Sequence, residues 1–321
     1  MGSLSLLVVF ATVLLANVCN AAAPNFPAKP LRIVVPFTAG SGADANPRFY
    51  GELLSRLWGQ SIVVDNRPGG SGIIAVQAVK SAAADGYTLL TGTTSLMTVN
   101  PVVMKDLPYD PLRDFVPVVL FGLTPSAFIV STSSPARTVR DLIEMAKKTG
   151  SPLSMGTYSV GYELVSAWLG IASGITVTPV PYKGGAPMMT DVIGNQIASG
   201  VIDPGGALPL IQEGRLRALA ITADKRLPVL PEVPTMKESG FPDFISNTFS
   251  SIFVRSETPD AIVKKLREGF KTVMESPAGR AYQAGKPTVI VDYSPQEIRA
   301  FLVSEHDRYR KIALAVGVKP R

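Results

Sequence analysis

The chain has 321 residues, with 31 Lys and Arg against 25 Asp and Glu for a net charge of +6, one histidine and one cysteine. One histidine excludes a His-rich zinc site, and with Cys19 in a segment expected to be removed, the mature chain has no thiolate metal site, Cys–His pair or disulfide. The positive residues are scattered, with no run of five or more, so nothing marks a nucleic-acid surface; a mildly basic balance suits an anionic small molecule, and the length allows one large or two medium domains.

Residues 1–23 carry no Lys, Arg, Asp or Glu, and Leu4 to Ala16 form a nearly unbroken apolar run ahead of Asn20-Ala21-Ala22-Ala23. That anatomy predicts an export signal cleaved near Ala21 to Ala23. The run falls short of the roughly 20 apolar residues a spanning helix needs. An uncleaved anchor is the alternative, because only the α-amino group is positive ahead of the run. The bulk of Val18 disfavours a lipid anchor on Cys19.

From Lys29 onward β-branched runs alternate with amphipathic segments, which predicts an α/β fold with helices covering largely parallel sheet. Leu31 to Val35 and Ile62 to Val64 read as strands. Between them Phe49, Leu53, Leu54, Leu57 and Trp58 recur at helical spacing. A helix is expected over Ile73 to Ala83, then a turn at Asp85-Gly86 and a strand over Tyr87 to Thr91. Further strands are expected at Phe128 to Ser131, Leu153 to Gly156, Val177 to Pro181, Ala198 to Ile202, Arg217 to Thr222, Ser251 to Val254 and Thr288 to Val291. Thr138 with Asp141 and Ser294 with Glu297 form capping boxes. Thr258-Pro259 and Ser276-Pro277 each set a cap residue before a helix-starting proline. The Pro- and Gly-rich stretches Pro117 to Pro125 and Asp224 to Pro242 read as two passages between lobes. They divide the chain into one lobe of 24–124 plus 224–321 and another of 125–223, with a ligand cleft between.

Three strand–loop–helix junctions carry the candidate chemistry. The first follows Leu31 to Val35 and holds Phe37, Thr38, Ala39, Gly40, Ser41 and Asp44. Ligands of open α/β sheets bind at the carboxyl ends of the strands, where small residues let backbone N–H groups approach an anion. The helix N-terminus adds about half a positive charge, and Asp44 suits its cap. An ordinary glycine-rich turn is the plainer alternative. A dinucleotide loop is another, since Asp65 follows the next strand, but Asp44 would repel a pyrophosphate and Pro47 lacks a donor. No Walker phosphate motif occurs, and neither a cofactor nor a metal is expected. The second junction is Gly156-Thr157-Tyr158-Ser159-Val160-Gly161, before a helix with Leu164, Trp168 and Leu169. The third is Pro181-Tyr182-Lys183-Gly184-Gly185-Ala186-Pro187, where Lys183 either points at a carboxylate or stays solvated. Catalytic constellations are thin: His306 reads as a surface residue, and Ser159 lacks both a G-x-S-x-G surround and a histidine partner.

Taken in order, Pro36-Phe37, Gly40, Asp44, Arg48, Asn66-Arg67-Pro68-Gly69, Asp85-Gly86-Tyr87-Thr88-Leu89-Leu90, Leu107-Pro108-Tyr109-Asp110-Pro111 and Asp114-Phe115 form one series. Pro181-Tyr182-Lys183-Gly184, Asp191, Gly214 to Ala220 and Pro231-Glu232-Val233-Pro234-Thr235, with Glu238 and Gly240, continue it. The series resembles the Bug family, the periplasmic substrate-binding proteins of tripartite tricarboxylate transporters, along essentially the whole mature chain. The resemblance implies a two-lobed periplasmic binding protein-like fold (type 2). It implies a non-enzymatic monomer in the periplasm that closes on a di- or tricarboxylate, acidic amino acid or aromatic acid and works with membrane permease subunits. Carried over residue by residue, the loop from Phe37 to Asp44 holds one carboxylate, helped by Thr93, Thr94 and Ser95. Tyr158, Ser159 and Gly161 come from the second lobe, with Lys183 and Gly184 near the cleft. Asp203 selects an ammonium or orders a water. Ser41, Pro47, Tyr162 and the run Asp203-Pro204-Gly205-Gly206 depart from the family pattern, which leaves the particular substrate open. A ligand-sensing partner in signalling and a secreted serine hydrolase using Ser159 are the alternatives.

Overall fold

The computed structural model describes residues 26–39, 42–315 and 317–318; the candidate export segment, Cys19, Gly40 and Ser41 lie outside them. β1 (Leu31–Val35) leads to α1 (Gly42–Trp58), β2 (Ile62–Asn66), α2 (Ile73–Lys80) and β3 (Thr88–Thr93). A π-helical turn (Ser95–Val99), α3 (Asn100–Val103) and α4 (Pro111–Asp114) precede β4 (Phe115–Pro125). β5 (Ala127–Ser131), α5 (Val139–Thr149), β6 (Leu153–Thr157), α6 (Val160–Ser173), β7 (Val177–Pro181), α7 (Gly185–Ile193), β8 (Ser199–Ile202), α8 (Pro204–Gln212) and β9 (Leu216–Ile221) follow. β10 (Asn247–Arg255), α9 (Asp260–Glu275), α10 (Pro277–Ala284) and α11 (Pro295–Ala315) complete the chain.

The strands form two five-stranded sheets, ordered β2-β1-β3-β10-β4 and β7-β6-β8-β5-β9. Both are mixed rather than largely parallel: β10 is antiparallel to β3 and β4, and β5 is antiparallel to β8 and β9. The reason is the connection between lobes. β5 and β10 are the strands that begin just after the chain passes from one sheet to the other, so they run away from the junction while their neighbours end at it.

Successive residues of each strand point to opposite faces. Ile33 and Leu89 therefore join a core with Tyr50, Leu54, Phe121 and Phe270, and Val34 and Leu90 join another with Val76, Phe253 and Leu302. The second sheet is covered in the same way, by Leu142, Tyr162 and Leu169 on one side and Met188, Val192 and Ile197 on the other. Leu227, Leu230 and Val233, with Met236 and Phe244, pack on the second sheet's cores. By packing, the return passage thus falls just before Asn247, beyond the division at 223/224 drawn from composition. Thr222 ties the two passages together. Ser126 N donates to its Oγ1 at 2.7 Å, its own N donates to Ser126 O at 2.8 Å, its hydroxyl donates to Ser246 O, and Ser246 N returns to Thr222 O at 3.1 Å. A further cluster joins the lobes: Val99 and Val103 meet Leu164 of α6 and Tyr309 and Ile312 of α11.

Several local expectations change. The Pro- and Gly-rich stretch Pro117 to Pro125 lies within the 11-residue strand β4, and the chain crosses to the second sheet directly after it, between β4 and β5. β4 is an edge strand, and Pro117 and Gly122 sit beside its two register shifts, where a missing donor or a φ of 141° is tolerated. Thr288 to Val291 makes only an isolated bridge, Val289 with Leu123. α9 starts one residue late, after Pro259, and the buried Thr258 hydroxyl caps nothing. The capping boxes at Thr138 and Ser294 and the Ser276 cap form as expected.

Candidate functional site

β1 and β3 are parallel neighbours, so the loop after β1 and the residues after β3 leave the first sheet at the same edge. Phe37 is half-buried there, while Thr38 and Ala39 are exposed. Asp44, in the first turn of α1, is 1% exposed. Arg48 Nε donates to its Oδ2 at 2.7 Å and Asn66 Nδ2 to its Oδ1 at 2.8 Å. The same Asn66 amide donates to Phe37 O at 2.9 Å, and Arg48 Nη2 donates to Asn66 Oδ1 at 2.6 Å. This network ties Phe37, where the loop begins, to Asp44 in the first turn of α1.

Thr93 and Thr94 are buried and Ser95 is half-buried. Thr94 Oγ1 accepts from Phe249 N at 2.9 Å and Thr93 Oγ1 from Leu96 N at 3.5 Å. Their hydroxyls thus secure the end of β3 to β10 and to the π-helical turn.

On the second lobe three helices begin close together. Ser159 caps α6, accepting from Tyr162 N at 3.4 Å, and Asp203 caps α8, accepting from Gly206 N at 3.0 Å. α7 starts after Gly184 with no side-chain cap, and the space beside Gly184 is open. The Tyr158 hydroxyl donates to Asp203 Oδ2 at 2.8 Å, and its ring lies 4.7 Å from that of Tyr162. A methyl group on Gly185 would lie 3.6 Å from Tyr158 Cε1 and 3.0 Å from Ile202 Cδ1, so the three starts are in contact. Gly161 is buried, and the nearest atom to a methyl placed on it is Ser159 Oγ at 3.7 Å. Burial first, then the neighbouring Tyr162 and Asp203, pushes the Tyr158 phenol well above its ordinary range. It therefore stays protonated and remains a donor. Tyr162 is raised too, chiefly by burial, and lies beside Thr248 of β10, across the junction between lobes.

The fold thus gathers Tyr158, Ser159, Gly161, Gly184 and Asp203 in one place and the residues from Phe37 to Asp44 and Thr93 to Ser95 along one sheet edge. Lys183 is exposed and forms no ion pair among the described residues. His306 is half-buried on α11. Among the described residues no group of three or more His, Cys, Asp or Glu side chains could hold a metal, and no helix is long and apolar enough to cross a membrane. Motif reading does not single out the bracing of Asp44 by Arg48, although charges four apart on a helix are a readable pair. It equally misses the contact of the lobes at Gly205 and Pro287: a methyl placed on Gly205 would lie 3.4 Å from Pro287 Cγ.

Two α/β lobes joined by two hydrogen-bonded passages, with uncapped or small-residue helix starts where they meet, define a binding protein of the two-lobed periplasmic type. Residues 48–318 match the model of the tripartite tricarboxylate transporter family receptor, TctC, and the chain belongs to that family. It is a family of substrate-binding receptors, not enzymes. Similar proteins include BugT of Bordetella pertussis, 29% identical over 92% of each chain. A UPF0065 protein of Bordetella bronchiseptica is 31% identical over 97% of this chain and 92% of its own. Among solved structures, R. palustris Rpa4515 with adipate has a TM-score of 0.85 at 32% identity, covering 92% of this chain and 100% of that one. MatC from Rhodopseudomonas palustris with bound malate has a TM-score of 0.80 at 25% identity, covering 89% and 99%.

Proposed function

We propose that this chain is an exported receptor that clamps a small carboxylate between its lobes and delivers it to the membrane permease subunits of a tripartite tricarboxylate-type transporter. The observation that carries the reading is the convergence of the α6, α7 and α8 starts on the second lobe, with the α8 start meeting the first lobe at Pro287. The α6 and α7 starts each contribute about half a positive charge and N–H donors, while the Asp203 carboxylate offsets that charge at α8; an anion held there gains further contacts from the first lobe only when the lobes close. The adipate and malate of two similar structures are carboxylates of the kind this arrangement suits.

In this reading the loop from Phe37 to Asp44, with Thr93 to Ser95, holds one carboxylate from the first lobe. Tyr158, Ser159, Gly161, Lys183, Gly184 and Asp203 contribute from the second. Charge-assisted hydrogen bonds add about 1.5 to 3 kcal/mol each, and a few of them supply the roughly 8 kcal/mol of micromolar binding. Residues 1–23 direct export, and the receptor acts as a monomer. Calorimetric titration with adipate, malate, citrate, aspartate and benzoate tests the reading, together with mass spectrometry of any acid released from protein purified without refolding. Absence of binding to every member of the panel, and of any released acid, would overturn it.

A further inference from the structure

Lys286 adjoins the place where the lobes meet and has no ion pair among the described residues. It lies in the turn after α10, directly before Pro287, the residue that touches the start of α8 at Gly205. Its Nζ donates to Asn46 Oδ1 at 3.1 Å and sits 3.7 Å from the centroid of the Tyr282 ring. The Tyr282 hydroxyl donates to the same Asn46 oxygen at 3.2 Å, and the Tyr282 ring stacks on Phe49 at 3.7 Å. Asn46 is in α1, four residues after its start at Gly42. At 1.5 Å per residue that is about 6 Å along the helix axis from its first residue.

The surroundings are unusual for an ammonium group. It is half-buried, yet no carboxylate pairs with it among the described residues. The groups packed on it from α1 and α10, Asn46 and Tyr282, are neutral. Across the contact with α8 the charged residue is Asp203, whose two oxygens already accept from Gly206 N and the Tyr158 hydroxyl. Burial alone lowers the Lys286 pKa to about 8. Because both Lys286 and Tyr282 donate to its Oδ1, Asn46 keeps its Nδ2 hydrogens uncommitted among the described residues. A desolvated cation without a counter-ion is costly unless an anion joins it.

We propose that Lys286, oriented by Tyr282 and flanked by Asn46, binds the second anionic group of the ligand and so makes the receptor selective for dicarboxylates over monocarboxylates. This rests on the carboxylate-receptor reading and adds its substrate class. The first carboxylate is held by helix starts, which any monoacid can use; the second meets the positive charge held against Asn46 in the first turns of α1.

The test is calorimetric titration of the mature protein with adipate and with hexanoate, which has the same chain length but one charge fewer. Wild type is expected to bind adipate at least tenfold more tightly. Lys286→Gln keeps a donor for Asn46 but removes the charge; it should lose that preference while holding hexanoate unchanged, and Lys286→Arg should recover part of it. Equal affinity of wild type for the two acids, or an unaltered preference in folded Lys286→Gln, overturns the Lys286 assignment and leaves the carboxylate reading intact. Lack of binding to any carboxylate overturns both. Circular dichroism of each variant confirms that an affinity change is not a folding change.

Discussion

The Tyr158 hydroxyl donates to Oδ2 of Asp203 across 2.8 Å, joining the loop before α6 to the cap of α8. Asp203 Oδ1 is held by Gly206 N at 3.0 Å, so one carboxylate fixes two helix starts relative to each other. Their N–H groups are therefore aimed before any ligand arrives.

Tyr158→Phe removes that link and nothing else of the phenol. Unfolding stability is expected to fall by about the 0.5 to 1.5 kcal/mol of an ordinary hydrogen bond, and adipate affinity to fall severalfold as the two helix starts lose their alignment. Asp203→Ala loses the cap as well and should destabilise the protein by about 1 kcal/mol in urea unfolding. Unchanged titration curves in both variants would show that the pairing does not organise the site.

Gly205 faces Pro287 of the other lobe: a methyl there would already reach ordinary contact with Pro287 Cγ at 3.4 Å, so a larger side chain would press on it. Gly205→Leu is expected to hold the lobes apart. Small-angle scattering should then show no compaction on adding adipate, and affinity should drop about tenfold or more, the loss of one lobe's contacts. Normal compaction in this variant would mean that closure does not bring these residues together.

Asn66→Ala deletes the donor shared by Phe37 O and Asp44 Oδ1, at 2.9 Å and 2.8 Å. With Asp44 only 1% exposed, a lost donor there is expected to reduce unfolding stability by about 1 to 3 kcal/mol. Adipate binding should weaken in the same protein, since the loop loses its brace. Chemical denaturation and titration measure the two effects separately.

Protonation of Lys286 sets a pH dependence. Its folded pKa is lowered to about 8 by burial, and adipate stabilises the charged form. The preference for adipate over hexanoate should be full near pH 7 and decline as pH rises through 8 to 9.5. In Lys286→Gln the ratio should be flat over that range.

Glu305 gives a second pH effect, on stability. Burial raises its pKa to about 6 against the opposing pull of Arg308, whose Nη1 lies 3.1 Å away, and its Oε2 has no hydrogen-bond partner. A raised folded pKa means that proton binding stabilises the fold below about pH 4.5 and that this contribution is lost as pH rises through 6. Glu305→Gln should therefore match wild type at pH 4 and exceed it at pH 8 by about 2 kcal/mol, the cost of ionising a carboxyl whose pKa burial has raised this far. A wild type more stable than the variant at pH 8 would show that the pair with Arg308 dominates.

Local chemistry was legible wherever one residue and its near neighbours decide the outcome. Thr138 with Asp141 and Ser276 before Pro277 cap their helices because the groups involved lie within a single turn. At β4 the prolines mark more than a passage: Pro117 and Pro125 lie within the strand, where an edge position and register shifts accommodate them, and the chain leaves the sheet only after Pro125. The mixed sheets were also illegible, since the direction of β10 depends on which lobe the chain has just left. Asp44 was readable as a helix-start residue, and only the structure shows its carboxylate held by Arg48 and Asn66.

The sequence by itself determined the alternating α/β elements, the loops of small residues at the strand ends and the family, because periodicity, capping and motif order are properties of neighbouring residues. Only the tertiary structure decided that Tyr158 meets Asp203 over 45 positions and that Asn46 meets Lys286 over 240. Those pairs form through the packing of two cores and two passages between lobes. Their partners are chosen by where whole elements come to rest, which no short stretch of chain encodes.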